Sequence, residues 1–256
     1  MGTVAKALSL LEQFSNAQPL IGLSDMARLA GLNKATTYRL LTELQRKGFV
    51  EQVGAAREYR LGPAVLRLAS LREVAVPIRD LARTVVRELS DQTGETAHVT
   101  LLSGDMLQVI AYAYSAAHGT KVTMEDAQFL PLHASSSGLA VMAWSASEIV
   151  DRALSGQLPA RTPMTLTEPD QIRALLPGIR EVGYAEYRGG FETDVHTQGA
   201  PIFNADAQVI GAISVALPAA RFTPDAAERV PALVRSQAIQ LTHMNGGRLP
   251  DTYPTE

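Results

Sequence analysis

Apolar residues recur at helical spacing at Val4, Ala7, Leu8, Leu11 and Phe14, which predicts an amphipathic helix over roughly 3–16, ended by Asn16-Ala17-Gln18-Pro19. Leu20-Ile21-Gly22-Leu23 is a short extended piece, and Ser24 is placed to cap a brief second helix running through Ala30 to the turn at Gly31. Asn33 caps a third helix over about 34–47, whose buried stripe takes Ala35, Tyr38, Leu41 and Leu44 or their neighbours. Ala27 and Gly31, four apart, supply a small residue where two helices approach and a glycine where the chain turns sharply, as a helix-turn-helix requires. Beyond Gly48, Phe49–Val53 and Arg57–Leu61 flank Gly54-Ala55-Ala56 and predict a hairpin, which after such a helix is a wing.

After residue 62 the pattern changes. Pro63 suits a first helical position, and Val65, Leu68, Ala69 and Leu71 keep helical spacing up to Pro77, so 63–76 is expected to be a linker helix able to dimerise. From Pro77 a helix (Ile78, Leu81, Val85, Val86, Leu89) leads into strand-like runs at Ala97–Leu102, Leu107–Tyr114, Gly183–Tyr187, Ala200–Phe203 and Val209–Leu217. Segments near 137–154, 168–181 and 224–243 are helical, and Ser103-Gly104-Asp105 and Asp206 with Gly211 mark hairpin turns. The fold class is α+β: a winged helix-turn-helix over 1–62, the linker helix, a domain around one antiparallel sheet over 77–245, and a disordered tail over 246–256.

Charge separates the same two parts. Residues 1–62 carry eight basic and five acidic side chains, an excess of three, which leaves minus six on the remainder of a chain whose net charge is -3. A basic head on an acidic body fits phosphate contact by the head alone. Lys34, Thr36, Thr37, Tyr38 and Arg39 on the third helix, with Ser24 and Asn33 before it and Arg57 and Arg60 on the wing, are the candidate contacts to double-stranded DNA. The chain has no cysteine, no membrane-length apolar run and no basic-then-apolar leader, so a cytoplasmic protein without membrane contact is expected.

In the body, His133-Ala134-Ser135-Ser136-Ser137-Gly138 precedes an apolar helix, and hydroxyls with free N–H groups at a helix start suit an anion or a carbonyl oxygen. Serines beside His133 also admit a hydrolase. No Gly-x-Ser-x-Gly elbow is present, no third residue is specified to orient the histidine, and no phosphate loop or metal cluster appears, so neither enzyme activity nor a cofactor is expected. His98, His118, His133, His196 and His243 are scattered, and most are ordinary surface or core histidines. The other alternative, a winged helix that docks protein, differs in the salt dependence of its binding.

Taken together, Val4-Ala5-Lys6-Ala7-Leu8, the run Leu29 to Leu41 (LAGLNKATTYRLL) and Tyr59-Arg60-Leu61-Gly62 resemble the IclR-type bacterial transcription regulators. Thr93 to His98 (TGETAH), Leu130 to Ala134 (LPLHA), Gly199 to Phe203 (GAPIF) and Gly211 to Val215 (GAISV) extend the likeness in the family's order. The resemblance implies a GAF-like effector domain, a homodimer or tetramer and operator binding. It implies effector contacts at Val122, Ser136, Ser137, Tyr187, Thr197 and Ser214, beside His133 and Ser135. The family's frequent acid near Tyr187 is missing, and Thr197, Asp194 and His196 stand where it usually has cysteine, glycine and arginine. These departures give a larger or aromatic effector more weight than a two- or three-carbon acid.

Overall fold

The computed structural model describes residues 2–15, 18–75, 77–125 and 127–254. The chain divides into two compact units, Met1–Pro77 and Ile78–Glu256. The expected helix stop at Asn16-Ala17, the linker's last residue Val76 and the tail's Thr255 and Glu256 lie outside the described residues.

The first unit holds helices α1 (Thr3–Leu11), α2 (Leu23–Leu29) and α3 (Lys34–Arg46), strands β1 (Val50–Val53) and β2 (Glu58–Leu61), and helix α4 (Pro63–Ala75). Leu10, Ile21, Met26, Leu40, Leu41, Val50 and Tyr59 form its core. Asn33 caps α3 as expected, its side chain accepting from the Thr36 amide at 2.8 Å. Ser24 is not a cap: α2 starts at Leu23 with Gly22 before it, so Ser24 stands exposed in the first helical turn.

The buried stripe of α3 is rotated from the expected one. Thr37, Leu40 and Leu41 are buried, whereas Ala35 is exposed and Tyr38 is 52% exposed. Thr37 can replace a hydrocarbon because its hydroxyl donates to the Asn33 carbonyl at 3.1 Å, which removes the cost of an unpaired buried polar group. The wing ends where Gly62 donates to Phe49 O (2.8 Å) and Ala64 to Gly48 O (3.0 Å), so the start of α4 is tied to the head. A Cβ at Gly62 would lie 2.3 Å from Gly48 O, so only glycine allows that approach.

The second unit begins with α5 (Ile78–Thr93) and contains strands β3 (Thr96–Ser103), β4 (Met106–Ala113), β5 (Phe129–Pro131), β6 (Ala185–Arg188), β7 (Val195–Phe203) and β8 (Val209–Pro218). They form one antiparallel sheet in the order β5-β4-β3-β8-β7-β6. Helix α5 packs with α9 (Pro224–Met244) against the sheet, and α6 (Ser136–Trp144) with α8 (Pro169–Val182) forms the other layer. The expected helix over 137–154 is two helices: Ser145 is extended (ψ 155°), which separates α6 from α7 (Ser147–Ala153). Gly211 is not a turn residue but lies inside β8, where a Cβ would come 2.0 Å from Thr100 O on β3. The β7–β8 turn is held instead by Asn204, whose Oδ1 accepts from Asp206 and Gln208 amides, both at 2.9 Å.

The disordered tail expected from residue 246 is also corrected. Tyr253 is buried, its hydroxyl donates to Gly183 O at 3.0 Å, and its ring lies 5.2 Å from Trp144 and 5.6 Å from Phe203. Arg235 on α9 donates to Pro254 O at 2.7 Å and fastens the end of this strap.

Candidate functional site

The head presents one face of α3. Lys34, Ala35, Tyr38, Arg39 and Thr42 are exposed together, spaced as one side of a helix. Glu43, four residues after Arg39, instead pairs with Arg46 at 2.7 Å, and neither Lys34 nor Arg39 has an ion-pair partner among the described residues. Two unneutralised cations on the first turns of a helix with one exposed face suit phosphate and base-edge contact. Thr37 drops out of the candidate set because it is buried and hydrogen-bonded, and Thr36 is half-buried beside the cap. The Asn33 side chain is committed to its cap, so it positions the helix. On the wing, Arg57 sits in the turn at φ 55° against Gln52 Oε1 (3.3 Å), and Arg60 is paired with Glu51 at 2.6 Å. Both remain exposed, but Arg60 brings a partly cancelled charge.

The second unit contains a cleft at the N-terminus of α6. Val122, Ser135, Ser136, Ser137 and Thr197 line it, and so do His98, Phe191 and Val195. The cavity holds about 40 Å³, within a cleft of about 490 Å³ that includes its open mouth. Ser135 is the helix cap, its Oγ accepting from Gly138 N and donating to Pro131 O, both at 3.0 Å. The amides of Ser136 and Ser137 have no acceptor among the described residues, as expected of a helix's first turn. Ser137 Oγ lies 2.6 Å from Ser214 Oγ and 3.4 Å from His98 Nε2. Gly199 permits this close packing: a Cβ there would lie 2.3 Å from Ser214 Oγ.

Three expected effector contacts are not among the residues lining the cleft. His133 Nε2 meets Pro159 O at 3.1 Å and steadies that loop. The Tyr187 hydroxyl accepts from the Leu166 amide at 2.6 Å, and its ring backs onto Gly190. Ser214 reaches the cleft only through Ser137. A hydrolase built on His133 therefore lacks its geometry. The histidine that does approach a serine, His98, has a buried Nδ1 with no partner to orient it.

The model for the IclR helix-turn-helix domain matches residues 3–54, and that for the bacterial transcriptional regulator IclR C-terminal region matches residues 73–243. The chain belongs to the IclR family. The transcriptional repressor IclR of Escherichia coli K12 is 29% identical over 252 residues, covering 96% of this chain and 90% of that protein. The crystal structure of a proposed IclR transcriptional regulator from Silicibacter sp. TM1040 superposes with a TM-score of 0.88 at 51% identity, covering 100% of both chains. An IclR homologue from Microbacterium hydrocarbonoxydans, solved with 4-hydroxybenzoate, gives a TM-score of 0.59 at 26% identity, covering 95% of this chain and 99% of that one. The Escherichia coli relative is a transcriptional repressor, and the chain carries both regions of this family of transcriptional regulators, so it is an IclR transcription regulator rather than an enzyme. Among the described residues no helix is long and apolar enough to cross a membrane, and no group of three or more acidic or histidine side chains could hold a metal ion.

Within this IclR fold the residue that sequence reasoning passed over is His98. It is only 3% exposed, and burial alone lowers its pKa to about 4, so its imidazole is neutral at physiological pH. The signal was available in strand periodicity: Thr96, His98 and Thr100 alternate with Ala97 and Val99, so one face of β3 is polar although the whole strand core is buried. Phe191, stacked under Arg161 at 4.0 Å, and Glu192 come from the turn after β6, where no periodic pattern exists to announce them.

Proposed function

We propose that this IclR regulator binds a pseudo-palindromic operator as a homo-oligomer through α3 and the wing, and responds to a small organic carboxylate, aromatic in preference, at the N-terminus of α6. The observation that carries the effector reading is the pair of acceptor-free amides on Ser136 and Ser137 at the floor of a cleft walled by Val122, Met124, Phe191 and Val195. Helix N-termini favour negative charge, and the apolar walls favour a hydrocarbon or aromatic body. The 4-hydroxybenzoate carried by the Microbacterium protein has that chemistry.

The cavity of about 40 Å³ is far below the ~300–1,000 Å³ of ordinary ligand pockets, so the proposed aromatic acid would reach into the surrounding cleft of about 490 Å³ and favour a wider arrangement of these walls. A ligand that prefers one of two arrangements shifts the equilibrium between them, and α4, which joins the two units in sequence, is the element proposed to carry that shift to the head. The proposed division of the chain is residues 1–62 for DNA, 63–76 for coupling and dimerisation, and the rest for sensing.

The test is a thermal-shift panel of benzoate, 4-hydroxybenzoate, phenylacetate, pyruvate and glyoxylate on the full chain, followed by operator gel shifts across a salt series. Aromatic acids should raise the melting temperature most, because a ligand specific for the native state stabilises it. Preference for glyoxylate or pyruvate would overturn the aromatic reading. Lys34→Ala and Arg39→Ala should each weaken operator binding and reduce the salt slope by about one, with effector affinity unchanged.

A further inference from the structure

His98 is the third residue of β3, in register with Tyr112 on β4 and Ser214 on β8. Its Nε2 faces the Ser137 hydroxyl, which in turn faces Ser214, while Nδ1 is buried and has no partner. A buried nitrogen without a partner costs free energy unless a bound group completes it. The same residue lines the cleft whose floor is the amide pair of α6.

We infer that His98 is the group that reads the effector's carboxylate: Nδ1 donates to a carboxylate oxygen, and the imidazole takes up a proton from solvent as the anion binds. This rests on the carboxylate reading of the cleft.

The proton balance is explicit. The imidazole is neutral near pH 7, held so by burial. A carboxylate placed beside it supplies the opposite charge that favours imidazolium, and one proton passes from solvent to the ring. Both ring nitrogens then donate, Nδ1 to the effector and Nε2 to Ser137 Oγ, and the Ser137 hydroxyl turns to Ser214.

Few other groups compete for this role. Facing His98, α6 contributes the uncharged Ser137 and β8 the uncharged Ser214, and β4 contributes the Tyr112 phenol. The turn after β6 contributes Glu192, an exposed carboxylate among the cleft residues. By reciprocity, an anion that raises the proton affinity of His98 must itself bind more tightly as pH falls.

The experiment is isothermal titration of the full-length protein with 4-hydroxybenzoate, benzoate and phenylacetate from pH 7.5 to 5.5, in two buffers of different ionisation enthalpy. Expected are proton uptake approaching one per site towards pH 5.5, a dissociation constant about tenfold lower at pH 5.5 than at pH 7.5, and no pH dependence for the neutral 4-hydroxybenzamide. His98→Asn, which keeps a donor near Nδ1 but cannot titrate, should bind the acids with no proton uptake. The buffer comparison on the unaltered protein stands even if that variant fails to fold.

Carboxylate binding without proton uptake would overturn the role of His98 and leave the aromatic-acid reading standing. Proton uptake that persists in His98→Asn would assign the proton elsewhere and also overturn it. Failure of all three acids to bind would overturn both readings together.

Discussion

Single side chains decide how the cleft is built. Gly199 has no side chain because Ser214 and the first turn of α6 occupy the space: a Cβ would lie 2.3 Å from Ser214 Oγ and 3.1 Å from the Ser137 amide. Gly199→Ala should lower stability by about 1–3 kcal/mol through overpacking and weaken effector binding, measured by denaturant melts and titration. His98 makes a second prediction. Its folded pKa of about 4 lies below the 6.5 of an exposed histidine, so the unfolded chain binds more protons between those values. The stability held by keeping His98 neutral is complete above about pH 6.5 and is lost as pH falls towards 4, a loss on the order of 3 kcal/mol that His98→Asn should remove. Melts at pH 7 and pH 5 on both proteins check it.

Elements follow from sequence where their pattern is local and periodic. The cap at Asn33, the turn at Gly31 (φ 61°) and the hairpin strands of the wing stand where periodicity and turn chemistry placed them. Periodicity puts the wrong stripe of α3 inside because Tyr38 is large and Thr37 polar, while burial turns on a hydroxyl that bonds its own helix. Strand β5 leaves no periodic signal in the sequence because Phe129-Leu130-Pro131 has only three residues and pairs only with β4 at the sheet's edge. Helix α4 was recognised, and within its own unit it leaves Leu66 71%, Leu68 43% and Leu71 59% exposed. Side chains so placed call for a partner surface, and in the proposed homo-oligomer a second copy would supply one. Leu66→Lys with Leu71→Lys should weaken the proposed association at least roughly a hundredfold, since each leucine withdrawn from water is worth about 1.5–3 kcal/mol; sedimentation would show monomers, and operator affinity would fall with it.

On the scale of the whole chain, charge and pattern separate a basic head from an acidic body, whereas they do not announce the closing strap. Gly246 to Pro254 has turn-forming composition and no period, and nothing local shows that Tyr253 will be buried between Trp144 and Phe203. Tyr253→Ala should cost about 3 kcal/mol, the usual loss for a buried aromatic ring, read as a lower melting temperature of the second unit. Ending the chain at Gly246 should cost at least as much, because the contacts to Gly183 and Arg235 go with it.

The same strap gives the protein a built-in optical gauge. The sequence has one tryptophan, Trp144, the last residue of α6, and its ring packs against Tyr253 and Phe203 about 11 Å along the helix from the serines that floor the cleft. Any effector that displaces the first turn of this nine-residue helix pushes on a single fluorophore at its other end. Occupancy of the cleft can therefore be followed by ultraviolet emission in the unlabelled protein, with Tyr253→Phe as the variant that retunes the signal and leaves the cleft alone.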